Sequence, residues 1–140
     1  MTQEEKDLLF RDLCARLPYG VKIVIQDTFR YSTVPREYHV LDASNFSDIF
    51  CFNYKKFSKR MKKAIRERPN DIVIKPYLRS MSSMTDEERV ERIALLWELE
   101  GHINEDVTYK YQDWLNAHHL DYRGLIPKGL AIDCTNLNIY

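Results

Sequence analysis

Apolar residues recur at helical spacing in several stretches of this chain and alternate at strand spacing between them. Leu9, Leu13 and Leu17 stand four apart, and Phe10 and Cys14 widen their stripe. Thr2 and Glu5 have capping-box spacing, in which the hydroxyl accepts from the Glu5 amide and the carboxylate reaches back. Together they predict a helix over residues 3–16, ended by Pro18-Tyr19-Gly20. Val21, Ile23 and Ile25 then alternate with Lys22, Val24 and Gln26, and this predicts a strand running to Phe29. Glu37 to Asp42 is its candidate hairpin partner, with Ser32 to Pro35 in the turn. Asn45 to Asn53 carries Phe46, Phe50 and Phe52 and suits either a strand or a helix entry.

Tyr54 to Glu67 reads as a helix with Tyr54, Phe57, Met61, Ala64 and Ile65 on one face. Pro69-Asn70-Asp71 closes it. Ile72-Val73-Ile74 opens a strand that runs through Pro76 to Arg79. A residue without an amide hydrogen puts that strand at a sheet edge or a bulge. Thr85 and Glu88 form a second capping box, with Asp86 and Glu87 at the positive end of the helix dipole. Val90, Ile93, Ala94 and Trp97 make that helix's apolar stripe, and Gly101 ends it. A last helix, roughly Thr108 to His118, buries Tyr111, Trp114 and Leu115. Gly124 and Pro127-Lys128-Gly129 mark turns, Leu130, Ala131 and Ile132 form a short apolar piece, and the polar tail 133–140 is expected to be loose. Strands interspersed with helices, without regular βαβ spacing, predict an α+β fold. It would pack a small, mostly antiparallel sheet of about 3–4 strands with about 4 helices. No repeat or long linker divides the 140 residues, so a single domain over 1–140 is expected.

Composition alters this picture only slightly. Hydrophobic residues at 44% supply a core, and 4 Gly with 5 Pro exclude low-complexity classes. No apolar run is long enough to predict a membrane span. The acidic start, Met-Thr-Gln-Glu-Glu-Lys-Asp, lacks the basic and apolar regions of a signal peptide. Cys14, Cys51 and Cys134 are widely spaced and read as reduced thiols, so a cytoplasmic location is expected.

Charge placement says more than charge total. Basic and acidic residues number 21 each. Between Lys55 and Arg68, however, eight Lys/Arg face Glu67 alone, a local +7 that leaves the remainder at −7. Lys55, Lys56, Lys59, Arg60, Lys62, Lys63, Arg66 and Arg68 are therefore candidate phosphate contacts for a nucleic acid. Basic amphipathic helices also meet anionic membranes or acidic proteins. The opposing expectation is internal pairing with Asp86, Glu87, Glu88, Glu91, Glu98 and Glu100, which would leave the run a solvated face.

Special chemistry is densest from Asp113 to Ala131. A metal reading of His118-His119 would draw on Asp113, Asp121, His102 and Cys134. Adjacent helical residues point about 100° apart, and the chain has no His pair at helical ligand spacing. One His is instead expected to cap the helix C-terminus while the other packs. Asp121-Tyr122-Arg123-Gly124 reads as a helix-terminating turn, with Gly124 left-handed and Arg123 paired to Asp121 or Asp113. No nucleophile–base pair accompanies it, since Cys14 and Cys51 look like small core residues and Cys134 lies near the tail. Neither a Walker A loop nor a G-x-G-x-x-G is present. No catalytic residue, metal or cofactor is predicted.

The blocks Lys75 to Glu88 and Asp113 to Ala131, with Asp12 to Val21, cover somewhat under half of the chain. They resemble a family of short uncharacterised proteins abundant in the genomes of gut anaerobes and in their phages and mobile elements. The resemblance implies a shared fold and a phage or mobile-element origin, and it brings no activity. It marks Asp113, Trp114, His118, His119, Asp121, Tyr122, Arg123, Gly124 and Gly129 as signature residues of a structural kind. The segment from about Asp27 to Asn70 departs from the family pattern, so the basic helix is particular to this branch. The sequence thus favours a non-enzymatic binding or regulatory protein whose partner is another protein or itself. A nucleic-acid-binding accessory protein comes second. A minor enzyme centred on Asp113, His118, His119, Asp121 and Arg123 comes third.

Overall fold

The computed structural model describes residues 1–29, 37–41, 44, 57–101 and 105–140. Helix α1 (Gln3–Arg16) starts at the expected capping box: Thr2 Oγ1 accepts from the Glu5 amide at 3.2 Å, and the Glu5 carboxylate accepts from the Thr2 amide at 2.7 Å. Leu9 and Leu13 are buried, whereas Phe10 is 47% exposed. Asp12 and Arg16 share the buried face, each with no exposed surface. A short 3₁₀ turn (Leu17–Tyr19) and the left-handed Gly20 then lead into the sheet.

Strands β1 (Val21–Asp27), β2 (Glu37–Leu41), β3 (Ile72–Leu78) and β4 (Ile132–Asp133) lie in the order β2-β1-β3-β4. Both pairings of β1 are antiparallel, and β4 runs parallel to β3. The alternation in β1 holds: Val21, Ile23 and Ile25 join Leu9, Leu13, Leu41 and Leu78 in the main core, while Val24 faces the other way with Tyr77 and Cys134. β3 is an interior strand, contrary to the edge position that Pro76 suggests. Pro76 stands opposite Ile23, and β4 reaches β3 only at Tyr77 and Leu78. Pro76 thus stands one residue before the part of β3 that pairs with β4.

Helix α2 (Lys59–Glu67) begins later than its periodicity suggests, because Ser58 caps it by accepting from the Met61 amide at 3.2 Å. Met61, Ala64 and Ile65 are buried with Phe57. Tyr54, Lys55, Lys56, Cys51, His102, the Ser32–Pro35 turn and the Asn45–Asn53 stretch lie outside the described residues. Helices α3 (Asp86–Gly101) and α4 (Glu105–Ala117) pack on each other, and α4 also meets α1. The architecture is therefore α+β, with four α-helices and a four-stranded mixed sheet among the described residues.

Two further expectations fail. The tail is held in place: the Tyr140 hydroxyl accepts from the Lys22 amide at 2.8 Å and donates to the Tyr77 carbonyl at 3.0 Å, and Lys22 Nζ donates to the Ile139 carbonyl. The stripe Val90, Ile93, Ala94 and Trp97 is exposed. The side of α3 that is half-buried carries Glu88, Arg92, Leu95, Leu96 and Leu99 instead. α4 fixes that choice, as Arg92 Nε donates to the Tyr111 hydroxyl at 2.9 Å and Trp114 Nε1 donates to Glu91 at 3.0 Å. Among the described residues no helix is long and apolar enough to cross a membrane.

Candidate functional site

The segment 113–129 is a joint between α4, the sheet and α1. His118 Nδ1 lies 2.8 Å from the Trp114 carbonyl, its ring 4.3 Å from the Trp114 ring, so it caps the end of α4. His119 is buried and takes a left-handed φ of 53°, and its ring stacks on Tyr140 at 3.7 Å. Its carbonyl accepts from the Arg79 amide, and the Asp121 amide donates back to the Arg79 carbonyl, both at 2.8 Å. These bonds tie the end of α4 to the end of β3.

Asp121 does not hold Arg123. Its two carboxylate oxygens accept from the Leu125 and Ile126 amides at 2.8 Å each, which fixes the turn through the left-handed Gly124. Arg123 lies 3.8 Å from Asp12 on α1 and 5.0 Å from the Tyr122 ring centre. Asp113 faces the Tyr19 hydroxyl, and burial together with that carboxylate pushes the Tyr19 phenol up. The Tyr122 hydroxyl donates to Asn116 at 3.1 Å. Gly129 is left-handed, at φ 69°. Asp12 also makes two bonds to Arg16, at 2.7 and 3.1 Å, and Arg16 donates to the Leu120 carbonyl at 2.8 Å. The sequence reading missed this buried ion pair.

Among the described residues, His118 and His119 of the five residues proposed for an enzyme line one cavity together. It measures about 390 Å³, and Arg79, Glu88, Cys134 and Tyr140 also line it. Arg79 donates twice to Glu88, at 2.8 Å each, and holds that carboxyl down at about 2. Burial, helped by the neighbouring Arg16, His118, Arg79 and Lys22, lowers His119 to about 4. Burial also pushes the Cys134 thiol and the Tyr140 phenol up. At neutral pH the cavity therefore holds a closed ion pair, a neutral imidazole at His119, a protonated thiol and a protonated phenol. None of these is an activated nucleophile.

The basic helix is not neutralised by α3. Lys59, Arg60, Lys63 and Arg66 are exposed and Lys62 is half-buried. Among the described residues no carboxylate lies within ion-pair distance of Lys59, Arg60, Lys62 or Arg66. Lys63 reaches only Glu67, at 3.9 Å. Arg68 is committed to Asp27 at 2.6 Å and lies over the Phe29 ring. The acids expected as counter-charges are engaged elsewhere or exposed: Glu88 binds Arg79, Glu91 takes the Trp114 indole, and Asp86 lies 3.7 Å from Arg89.

The outer face of α3 is the other unusual surface. Val90, Ile93 and Trp97 are 68%, 53% and 74% exposed, and Ala94 between them is exposed too. They fall at i, i+3, i+4 and i+7, which brings them together on one face. Polar residues rim the stripe. The sequence did signal this stripe, though as core. No protein-family model, curated protein or solved structure matches this chain.

Proposed function

We propose that this chain is a small non-enzymatic binding protein of phage or mobile-element origin, engaging a protein partner through the outer face of α3. One observation supports this reading: Val90, Ile93 and Trp97 form a contiguous apolar stripe that the chain's own described residues leave open. Covering such side chains contributes roughly 1.5–3 kcal/mol each, and tryptophan is enriched among residues that dominate interfaces. A photo-crosslinking residue at position 97, compared with the same residue at the exposed Glu4 on α1, tests it. A discrete adduct from position 97 alone is expected. Equal adducts from both positions, or none from position 97, would count against it.

A second reading has its own support. Lys59, Arg60, Lys62 and Arg66 form a cationic face without described counter-charges, as a nucleic-acid accessory protein requires. Retention on DNA should then fall steeply between low and moderate salt. Charge reversal at Lys59, Arg60 and Arg66 should abolish it, and retention unchanged by that reversal would rule the reading out.

A further inference from the structure

The borders of the α3 stripe carry their own information about what covers it. At about 100° per residue, Glu87, Glu91 and Glu98 run along one border of the stripe, and Arg89 and Glu100 along the other. Asp86 stands at its N-terminal end. All six are exposed. Glu91 takes the Trp114 indole and Asp86 lies near Arg89, while Glu87, Glu98 and Glu100 have no described partner. The surface is thus a narrow apolar strip with one strongly acidic edge, Glu87, Glu91 and Glu98, and a second edge where Arg89 lies beside Asp86 and Glu100 has no described partner.

We infer that the partner is an amphipathic helix with an apolar stripe flanked by Lys and Arg. This rests on the reading of α3 as a docking surface. Two helices pack stripe to stripe, which brings the flanking residues of each against those of the other. A second copy of α3 fits poorly. Paired antiparallel about a two-fold axis, the border with Glu87, Glu91 and Glu98 would face itself. Paired in parallel, Glu98 would face Glu100 on both sides of the pair, and Arg89, already beside Asp86, would be the single basic residue against Glu87 and Glu91. Like charges at these positions repel. Phosphate backbones and anionic membranes meet the same repulsion. Lys and Arg flanks instead meet three carboxylates that have no partner among the described residues, and their long apolar stems cover the edges of Val90 and Trp97. The stripe spans about two turns at 1.5 Å per residue, so about three turns of partner helix suffice.

The test uses the whole chain and three synthetic 18-residue helical peptides. Each has the same leucine stripe, with flanks of Lys, Gln or Glu. The readout is the Trp97 indole N–H cross-peak in NMR. The Lys-flanked peptide should shift this peak saturably. Affinity should fall about tenfold or more with Gln flanks and vanish with Glu flanks. Glu87→Lys with Glu98→Lys should weaken the Lys-flanked peptide by a similar factor and admit the Glu-flanked one. Comparable binding of all three peptides would overturn the basic partner and leave the docking surface standing. A Trp97 peak that moves with protein concentration alone would make the occupant a second copy and overturn the inference. A peak that no peptide moves would overturn the docking surface as well.

Discussion

Replacing Asp12 by Ala should be among the most damaging single changes to this fold. Asp12 and Arg16 have no exposed surface, and two bonds of 2.7 and 3.1 Å join them. Removing the carboxylate strands a guanidinium inside the protein, with the Leu120 carbonyl as its remaining hydrogen-bonded partner. Breaking a buried pair in this way costs about 3–5 kcal/mol. In a chain of this size that lowers Tm by roughly 10–20 °C. Replacing both partners by apolar residues, Asp12→Leu with Arg16→Met, removes both fully buried charges and leaves only the partly exposed Arg123 without its carboxylate neighbour. It loses one donor to the Leu120 carbonyl, about 1 kcal/mol, and returns apolar packing, so the double variant should stay within about 2 kcal/mol of the parent. Urea unfolding of the parent, both single variants and the double variant closes the cycle. A loss under about 1 kcal/mol for Asp12→Ala would refute the reasoning, as would single effects that simply add.

Two further outcomes follow from the joint. His119 is lowered to about 4 by burial, so the unfolded chain binds a proton that the folded one does not. Its contribution is intact above about pH 6.5 and is lost as pH falls toward 4, roughly 3 kcal/mol in all at 1.36 kcal/mol per unit. A His119→Asn variant, which tolerates the left-handed backbone, should lose that slope in acid unfolding curves, and an unchanged slope would refute the assignment. Gly124→Ala should cost about 1–2 kcal/mol through its φ of 70° alone, because an added Cβ would meet Pro127 Cγ at an ordinary 3.8 Å. Thermal unfolding with no loss of stability would contradict that conformation.

Local rules carried much of the fold. The capping boxes at Thr2 and Thr85, the alternation of β1 and the turn at Gly124 are set by neighbours within a few residues, so they were legible. The division of labour between His118 and His119 was legible too, because a helix end dictates it. Pro76 misled because edge position depends on where β4 attaches, more than fifty residues away. Asp12 and Arg16 look like a surface i,i+4 pair. Their positions between Leu9 and Leu13 and one turn beyond continue the buried stripe, which was the available signal. α3 is apolar on two opposite sides, and its own periodicity cannot choose between them. Tyr111 and Trp114, reaching Arg92 and Glu91 from α4, make the choice. That is tertiary information, and it turned an expected core stripe into a candidate docking face.

The central claim is that Val90, Ile93 and Trp97 serve a partner and not the fold. Unfolding free energy of a Val90→Ser, Ile93→Ser, Trp97→Ser variant tests it most directly. Exposed side chains contribute little, so a change within about 1 kcal/mol and an unaltered folded spectrum are expected. A loss of several kcal/mol, as removing three core side chains would cause, would show that the stripe is core and contradict the account.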